Sequence, residues 1–226
     1  MLKTVLTPTE GRAALKTQRA CAMAYHLETG DPVCAFLKPT RQFAEAPRFG
    51  IADHNDAGAD ITEWFTDEIE KLIDFAELIE PHTRPLILPL PDAAIACPHL
   101  AGVADELLAN SFSCPQEISF EISDATMVNH AAEALILIRA FRRRGFRISI
   151  DARRSWQSEL PAYAWLMIDT VRIDPASLTC DQALSDFIET ASSAGVSVIA
   201  MRPAWRDSAY LETFGVEYGV APRSDA

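Results

Sequence analysis

Two carboxylates at the ends of apolar runs, and a set of arginines close to them, carry what chemistry this sequence offers. Glu121 lies in the run Ile118–Ile122, and Asp151 ends the run Phe146–Asp151. Arg172 lies in a third run, Met167–Ile173, and Asp174 follows it. Arg153 and Arg154 come directly after Asp151, while Arg202 and Arg206 come just after a fourth run, Val196–Met201. Carboxylate oxygens are hard ligands for a divalent cation. Metal-assisted hydrolysis needs one or two such cations, an activated water and often a base or a cationic orienter. Guanidiniums point elsewhere, because their planar fork suits bidentate contact with phosphate or carboxylate.

The elements that must position these groups can be read from periodicity. The three central runs are short, apolar and β-branched. Between the first two, Ala134, Leu135, Ile138 and Phe141 recur at helical spacing, with Asn129 placed to cap the start and Gly145 to end it. Strand, helix, strand, short crossover and strand form successive βαβ units, which implies parallel pairing. Acidic groups at the carboxyl ends of such strands stand where barrel enzymes keep their chemistry.

The flanking segments extend the pattern. Thr7-Pro8-Thr9-Glu10 reads as a helix start, and Thr29-Gly30-Asp31-Pro32 as a turn between the strands Cys21–Leu27 and Val33–Leu37. Residues 39–60 read as loop, and Ile61–Ile79 as a helix with a broad apolar face. Residues 84–91 form the next strand, which Pro89 and Pro91 must stop or bend. Residues 92–113 are Ala-rich and helical in part. Asp181–Ala194 is an amphipathic helix ended by Gly195, Arg206–Phe214 is a short helix closed by Gly215, and Val216–Val220 is a last strand. His54 with Asp53 and Asp56 reads as a solvated loop, because no second ligand cluster of matching spacing is visible, and His99 near Cys97 reads as structural, because two residues do not make a site.

Composition bounds the function. The chain has 226 residues, 49% of them hydrophobic, and a formal net charge of -12. One domain spanning 1–226 with a sizeable core is expected. The acidity argues against direct binding to nucleic acid or to an anionic membrane. No apolar run approaches the roughly 20 residues that span a bilayer, and no N-terminal signal is apparent. The five cysteines, Cys21, Cys34, Cys97, Cys114 and Cys180, form no CxxC pair and read as reduced, packed thiols of a cytoplasmic protein.

Four segments in order resemble the EAL domain, a family of cyclic di-GMP phosphodiesterases. Glu121-Ile122-Ser123-Asp124 is similar to the family's E-x-T-E. Ile150-Asp151-Ala152-Arg153-Arg154-Ser155-Trp156 falls at LDDFGTG, Val171-Arg172-Ile173-Asp174 at LKID, and Val196–Pro203 at the strand ending in AEGVE. The resemblance implies an α/β fold, a modified (β/α)8 TIM-type barrel with one antiparallel strand near the N-terminus. It also implies where the metal ligands belong, and most are replaced. The E-A-L glutamate is absent near Phe36, and the asparagine position holds Pro89. The second Asp of DD is Ala152, the lysine is Arg172, and the glutamates of AEGVE are Met201 and Ala204. Ala22-Met23 stands for an early QP pair and Val220-Ala221 for a late QG pair. Glu121 and Asp151 alone are retained. The resemblance therefore implies a catalytically inactive member that needs no cofactor or metal.

Two explanations fit the arginines. Arg153, Arg154, Arg172, Arg202 and Arg206 form a metal-free anion or acidic-partner site at the barrel mouth. Alternatively they pair with Glu121, Asp151, Asp169 and Asp174 and fill the metal cavity. Arg142-Arg143-Arg144 is read separately, as a solvated helix end. The expected function is regulatory protein binding in bacterial signalling, in motility, biofilm or cell-cycle control, with exposed aromatics such as Trp64 or Trp205 as anchors. One alternative is a metal-independent receptor for cyclic di-GMP or another phosphorylated ligand. Weaker alternatives are a residual phosphodiesterase and a dimer that uses Trp156.

Overall fold

A computed structural model describes residues 22–40, 43, 54–79, 81–153, 162–178, 182–201 and 208–220. Eight strands close into a barrel in sequence order: β1 (Ala22–His26), β2 (Pro32–Phe36), β3 (Leu86–Pro89), β4 (Ile118–Ser123), β5 (Arg147–Asp151), β6 (Thr170–Ile173), β7 (Ser197–Met201) and β8 (Tyr218–Val220). β1 runs antiparallel to both β2 and β8, and every other neighbouring pair is parallel. This is the α/β barrel expected from the sequence, including its single reversed strand. The reversal follows from the short turn at residues 27–31, where Gly30 takes φ +75. A connection that short can join only antiparallel strands.

Helices fill the crossovers: α1 (His54–Ala76), α2 (Leu100–Leu108), α3 (Asp124–Asn129), α4 (Ala131–Arg142), α5 (Ala162–Trp165), α6 (Gln182–Ser193) and α7 (Ser208–Glu212). Strand alternation divides the side chains. Leu86, Leu88, Ile118, Phe120, Ile122, Ile148, Ile150, Val171 and Ile173 pack outward against the helices. Phe65 of α1, Phe120 of β4, Phe141 of α4 and Phe146 form one aromatic cluster, in which the Phe120 and Phe141 centroids are 4.1 Å apart. Each such ring contributes roughly 1.5–3 kcal/mol by leaving water.

Several expectations are corrected. α1 begins at His54 rather than Ile61, so residues 54–60 are helical and not loop. Its first two turns carry no apolar period, yet extending a helix from a packed segment costs little once nucleation is met. Asn129 caps nothing: it ends α3, whose cap is Ser123, with the hydroxyl accepting from the Thr126 N–H at 3.1 Å. Gly145 does end α4, with φ +88 and the Phe146 N–H donating back to the Phe141 carbonyl. Trp64 is buried in the core and is no surface anchor. Cys34 and Cys97 are buried free thiols, but Cys114 is exposed. The expected N-terminal helix, Cys21, Cys180, Trp156 and Trp205 lie outside the described residues. No described helix is long and apolar enough to cross a membrane.

Candidate site at the barrel mouth

Glu121 is the inward residue near the end of β4, Asp151 ends β5, and Arg172 faces inward from β6. In sheet register Glu121 lies beside Ser149, and Asp151 beside Arg172. That register brings the three functional groups together. Arg172 Nη2 donates to Asp151 Oδ2 at 2.9 Å and, past it, to Glu121 Oε2 in a short ion pair. Arg153 adds a fork from above, with Nε to Asp151 Oδ1 at 2.7 Å and Nη2 to Oδ2 at 2.6 Å. Its backbone N–H also donates to Oδ1. Two carboxyl groups thus meet two guanidiniums.

The remaining neighbours of Arg172 are apolar. Its guanidinium carbon lies 4.6 Å from the centre of the Phe36 ring, and Nη1 lies 4.0 Å from Met201 Sδ. Phe36 ends β2 and Met201 ends β7, so the guanidinium is held across the barrel by residues from β2, β4, β5 and β7. Pro89 sits beside Glu121 in the β3–β4 register and ends its strand, as expected from the missing N–H.

Titration follows burial and pairing. Burial pushes the Glu121 carboxyl up to about 7; the Arg172 guanidinium opposes the rise and the Asp151 charge adds to it. Burial would also raise Asp151, but its hydrogen bonds with Arg153 and the two arginine charges outweigh burial and hold it below the usual carboxylate range. The Asp151 hydrogen bond in turn raises Arg153. Cys34 lies beneath this group, and burial, aided by the Glu121 charge, pushes its thiol up to about 12.

The residues present do not fit a divalent cation. Phe36, Pro89 and Met201 offer no hard oxygen from their side chains, and a guanidinium already bridges the two carboxylates. Among the described residues, no three His, Cys, Asp or Glu side chains are grouped to hold a metal. His99 instead shares a hydrogen bond with Thr62 at 2.9 Å.

Other arginines and acids sort differently from expectation. Asp169 is not at the mouth: it precedes β6 at the opposite end, where Oδ2 accepts from Arg142 Nη1 at 2.6 Å and from the Ile148 N–H at 2.8 Å. Arg142 is thus a paired residue rather than a solvated helix end, and Arg144 lies 3.8 Å from Asp105. Asp174 is at the mouth, but its side chain caps the short turn after β6 by accepting from the Ala176 N–H. Arg154, Arg202 and Arg206 lie outside the described residues. The Phe36 contact was missed in the sequence, where an aromatic residue at a strand end gives no sign of what faces it.

Comparison with known proteins agrees with the barrel fold. The profile described as the EAL domain matches residues 33–202. Among solved structures, the PaMucR phosphodiesterase in complex with c-di-GMP superimposes with a TM-score of 0.65 at 13% identity, covering 94% of this chain and 93% of that one. Vibrio cholerae LapD, an S helix-GGDEF-EAL chain bound to c-di-GMP, gives 0.66 at 19% identity over 98% of this chain and 58% of its own. An EAL domain protein from Listeria monocytogenes EGD-e gives 0.61 at 15% identity, covering 97% and 92%. No curated protein matches in sequence.

Proposed function

Since the chain belongs to the EAL domain family, we propose that it is a catalytically inactive member that works in cyclic di-GMP signalling as a regulatory protein-binding module. The observation that carries this reading is the Arg172 guanidinium lodged between Glu121 and Asp151. Both carboxylates that could hold a metal are already neutralised, and the facing positions are apolar. Rebuilding a coordination sphere there would need Arg172 to leave two charge-assisted hydrogen bonds in a buried setting, which is costly.

A protein-binding role is supported by apolar side chains left outside the barrel. Leu166 and Tyr163 of the β5–β6 crossover and Ile136 of α4 are exposed, and Arg139 lies 5.8 Å over the Tyr163 ring, joining the two helices into one surface. Aromatic and arginine side chains of this kind anchor protein interfaces.

Incubation of purified protein with cyclic di-GMP and magnesium or manganese tests the reading. No linear product is expected. Steady turnover that disappears in Glu121→Ala and Asp151→Ala would overturn it. A second reading, a metal-independent receptor for cyclic di-GMP, is favoured by the position of Arg153: its guanidinium is partly exposed at the mouth. Isothermal titration with and without magnesium distinguishes the two. Micromolar binding that weakens in Arg153→Ala supports the receptor; no heat in either condition leaves the scaffold.

A further inference from the structure

The interior of the barrel is divided by chemistry. One wall presents Ala24, Cys34, Phe36, Ile87, Ile199 and Val220, which pack as a closed apolar cluster. The other wall, made by β4, β5 and β6, faces inward with Ser119, Ser149 and Thr170 beneath Glu121, Asp151 and Arg172. Ser149 lies beside Glu121 in one register and beside Thr170 in the other, and Ser119 is two residues before Glu121 on the same face. Barrels of this type usually fill these positions with bulky branched side chains.

Five polar atoms on this wall are buried without a hydrogen-bond partner: Ser119 Oγ, Ser149 Oγ, Thr170 Oγ1, Glu121 Oε1 and Arg172 Nε. Buried polar atoms are nearly always paired, so five together on three adjoining strands point to a missing common partner. Ser119, Ser149 and Glu121 are each at most 3% exposed.

We propose that this wall binds a small cluster of ordered waters, held between the Ser119, Ser149 and Thr170 hydroxyls and joined to Glu121 Oε1 and Arg172 Nε. The mixture of donors and acceptors selects the ligand. Arg172 Nε can only donate, an ionised Glu121 Oε1 can only accept, and the hydroxyls do either. An anion would satisfy Nε but face Glu121 and Asp151. A cation would satisfy Oε1 but face the guanidinium. Water serves both, and a buried water typically makes about three hydrogen bonds to such groups. Ser and Thr are smaller than the branched side chains that usually fill such positions. Bound there, the cluster supports the guanidinium from its Nε side and sets the angle at which Arg172 meets the two carboxylates. This role does not depend on whether the protein hydrolyses a substrate.

High-resolution crystals of the full chain test the site directly, with Thr170→Val and Ser149→Ala alongside. Thr170→Val keeps the side-chain shape and removes the hydroxyl. The wild type should show density peaks about 2.7–3.2 Å from at least two of the three hydroxyls. Each variant should lose a peak, and water-oxygen magnetic relaxation dispersion in solution should lose amplitude with it. A dry wall with the hydroxyls turned onto strand carbonyls would overturn the proposal. So would unchanged relaxation in the variants, or a bromide soak that places an anion at the peaks. Ser149→Ala gives the same test if Thr170→Val does not fold.

Discussion

The Arg172 guanidinium carbon and the Phe36 ring centre lie 4.6 Å apart, across the barrel from β6 to β2. A cation over an aromatic face is attracted by the ring quadrupole, more strongly where water is excluded. Arg172 therefore has carboxylates on one side and a ring and a thioether on the other. Phe36, Arg172 and Met201 look unrelated along the chain, but they meet in space as one set. The guanidinium supplies the positive charge that Glu121 and Asp151 require, and the apolar neighbours surround it.

Removing Arg172 should expose the cost of that arrangement. Arg172→Met leaves the buried Glu121 carboxyl without its partner and Asp151 with Arg153 alone, and a loss of about 3–5 kcal/mol is expected in urea unfolding. Adding magnesium should not restore the midpoint. The double variant Glu121→Gln with Arg172→Met should lose less than Arg172→Met alone, because the more deeply buried unpaired charge is then absent. Equal or greater loss in the double variant would contradict this account.

The pH dependence of stability should carry two opposite signatures. Glu121 rises from an ordinary value of 4.5 to about 7 in the fold. Between those values the folded protein holds a proton that the unfolded chain releases, so this group lowers stability as pH rises through that window. Asp151 is depressed, so its contribution is present above its unfolded value and is lost as pH falls through its folded one. Unfolding measured from pH 3 to 8 should show Glu121→Gln removing the downward slope in the upper window while the acid limb remains. An unchanged slope would place the titration elsewhere.

The thiols should differ sharply in reactivity. Cys34 is pushed up to about 12 inside the barrel, so it has almost no thiolate at neutral pH and no path for a reagent. Cys114 is exposed. Timed alkylation followed by peptide mass spectrometry should label Cys114 in the native protein and Cys34 only on unfolding. Early labelling of Cys34 would mean that the barrel opens.

The aromatic cluster between barrel and helices should dominate core stability. Phe141→Ala removes a fully buried ring packed on Phe120, and about 3–5 kcal/mol is expected. Phe112, 97% exposed, is the control: its replacement by Ala should stay within about 0.5 kcal/mol. Comparable losses at the two positions would show that ring burial is not what sets the difference.

The alternation of short apolar runs with 3.6-period segments determined the order of strands and helices and placed Glu121 and Asp151 at the ends of parallel strands. Pro89 at the end of β3, Pro91 beyond it and the glycine after α4 likewise set their boundaries, because φ restriction and a missing donor act on the residue itself. The resemblance to the EAL domain implied that Phe36, Pro89 and Met201 stand where that family keeps oxygen ligands, and their side chains carry none. Periodicity was silent where a segment lacks an apolar face, as in the first turns of α1.

Partners were decided only by the tertiary structure. Asp169 and Asp174 are both acids flanking the same strand, yet one pairs with Arg142 at the far end of the barrel and the other caps a turn at the mouth. Arg172 reaches Glu121, 51 residues away in sequence, because closure of the sheet and its register bring β4, β5 and β6 side by side. Local periodicity acts over a few residues, whereas an ion pair depends on which strands are neighbours, on which face each side chain lies, and on how far water is excluded.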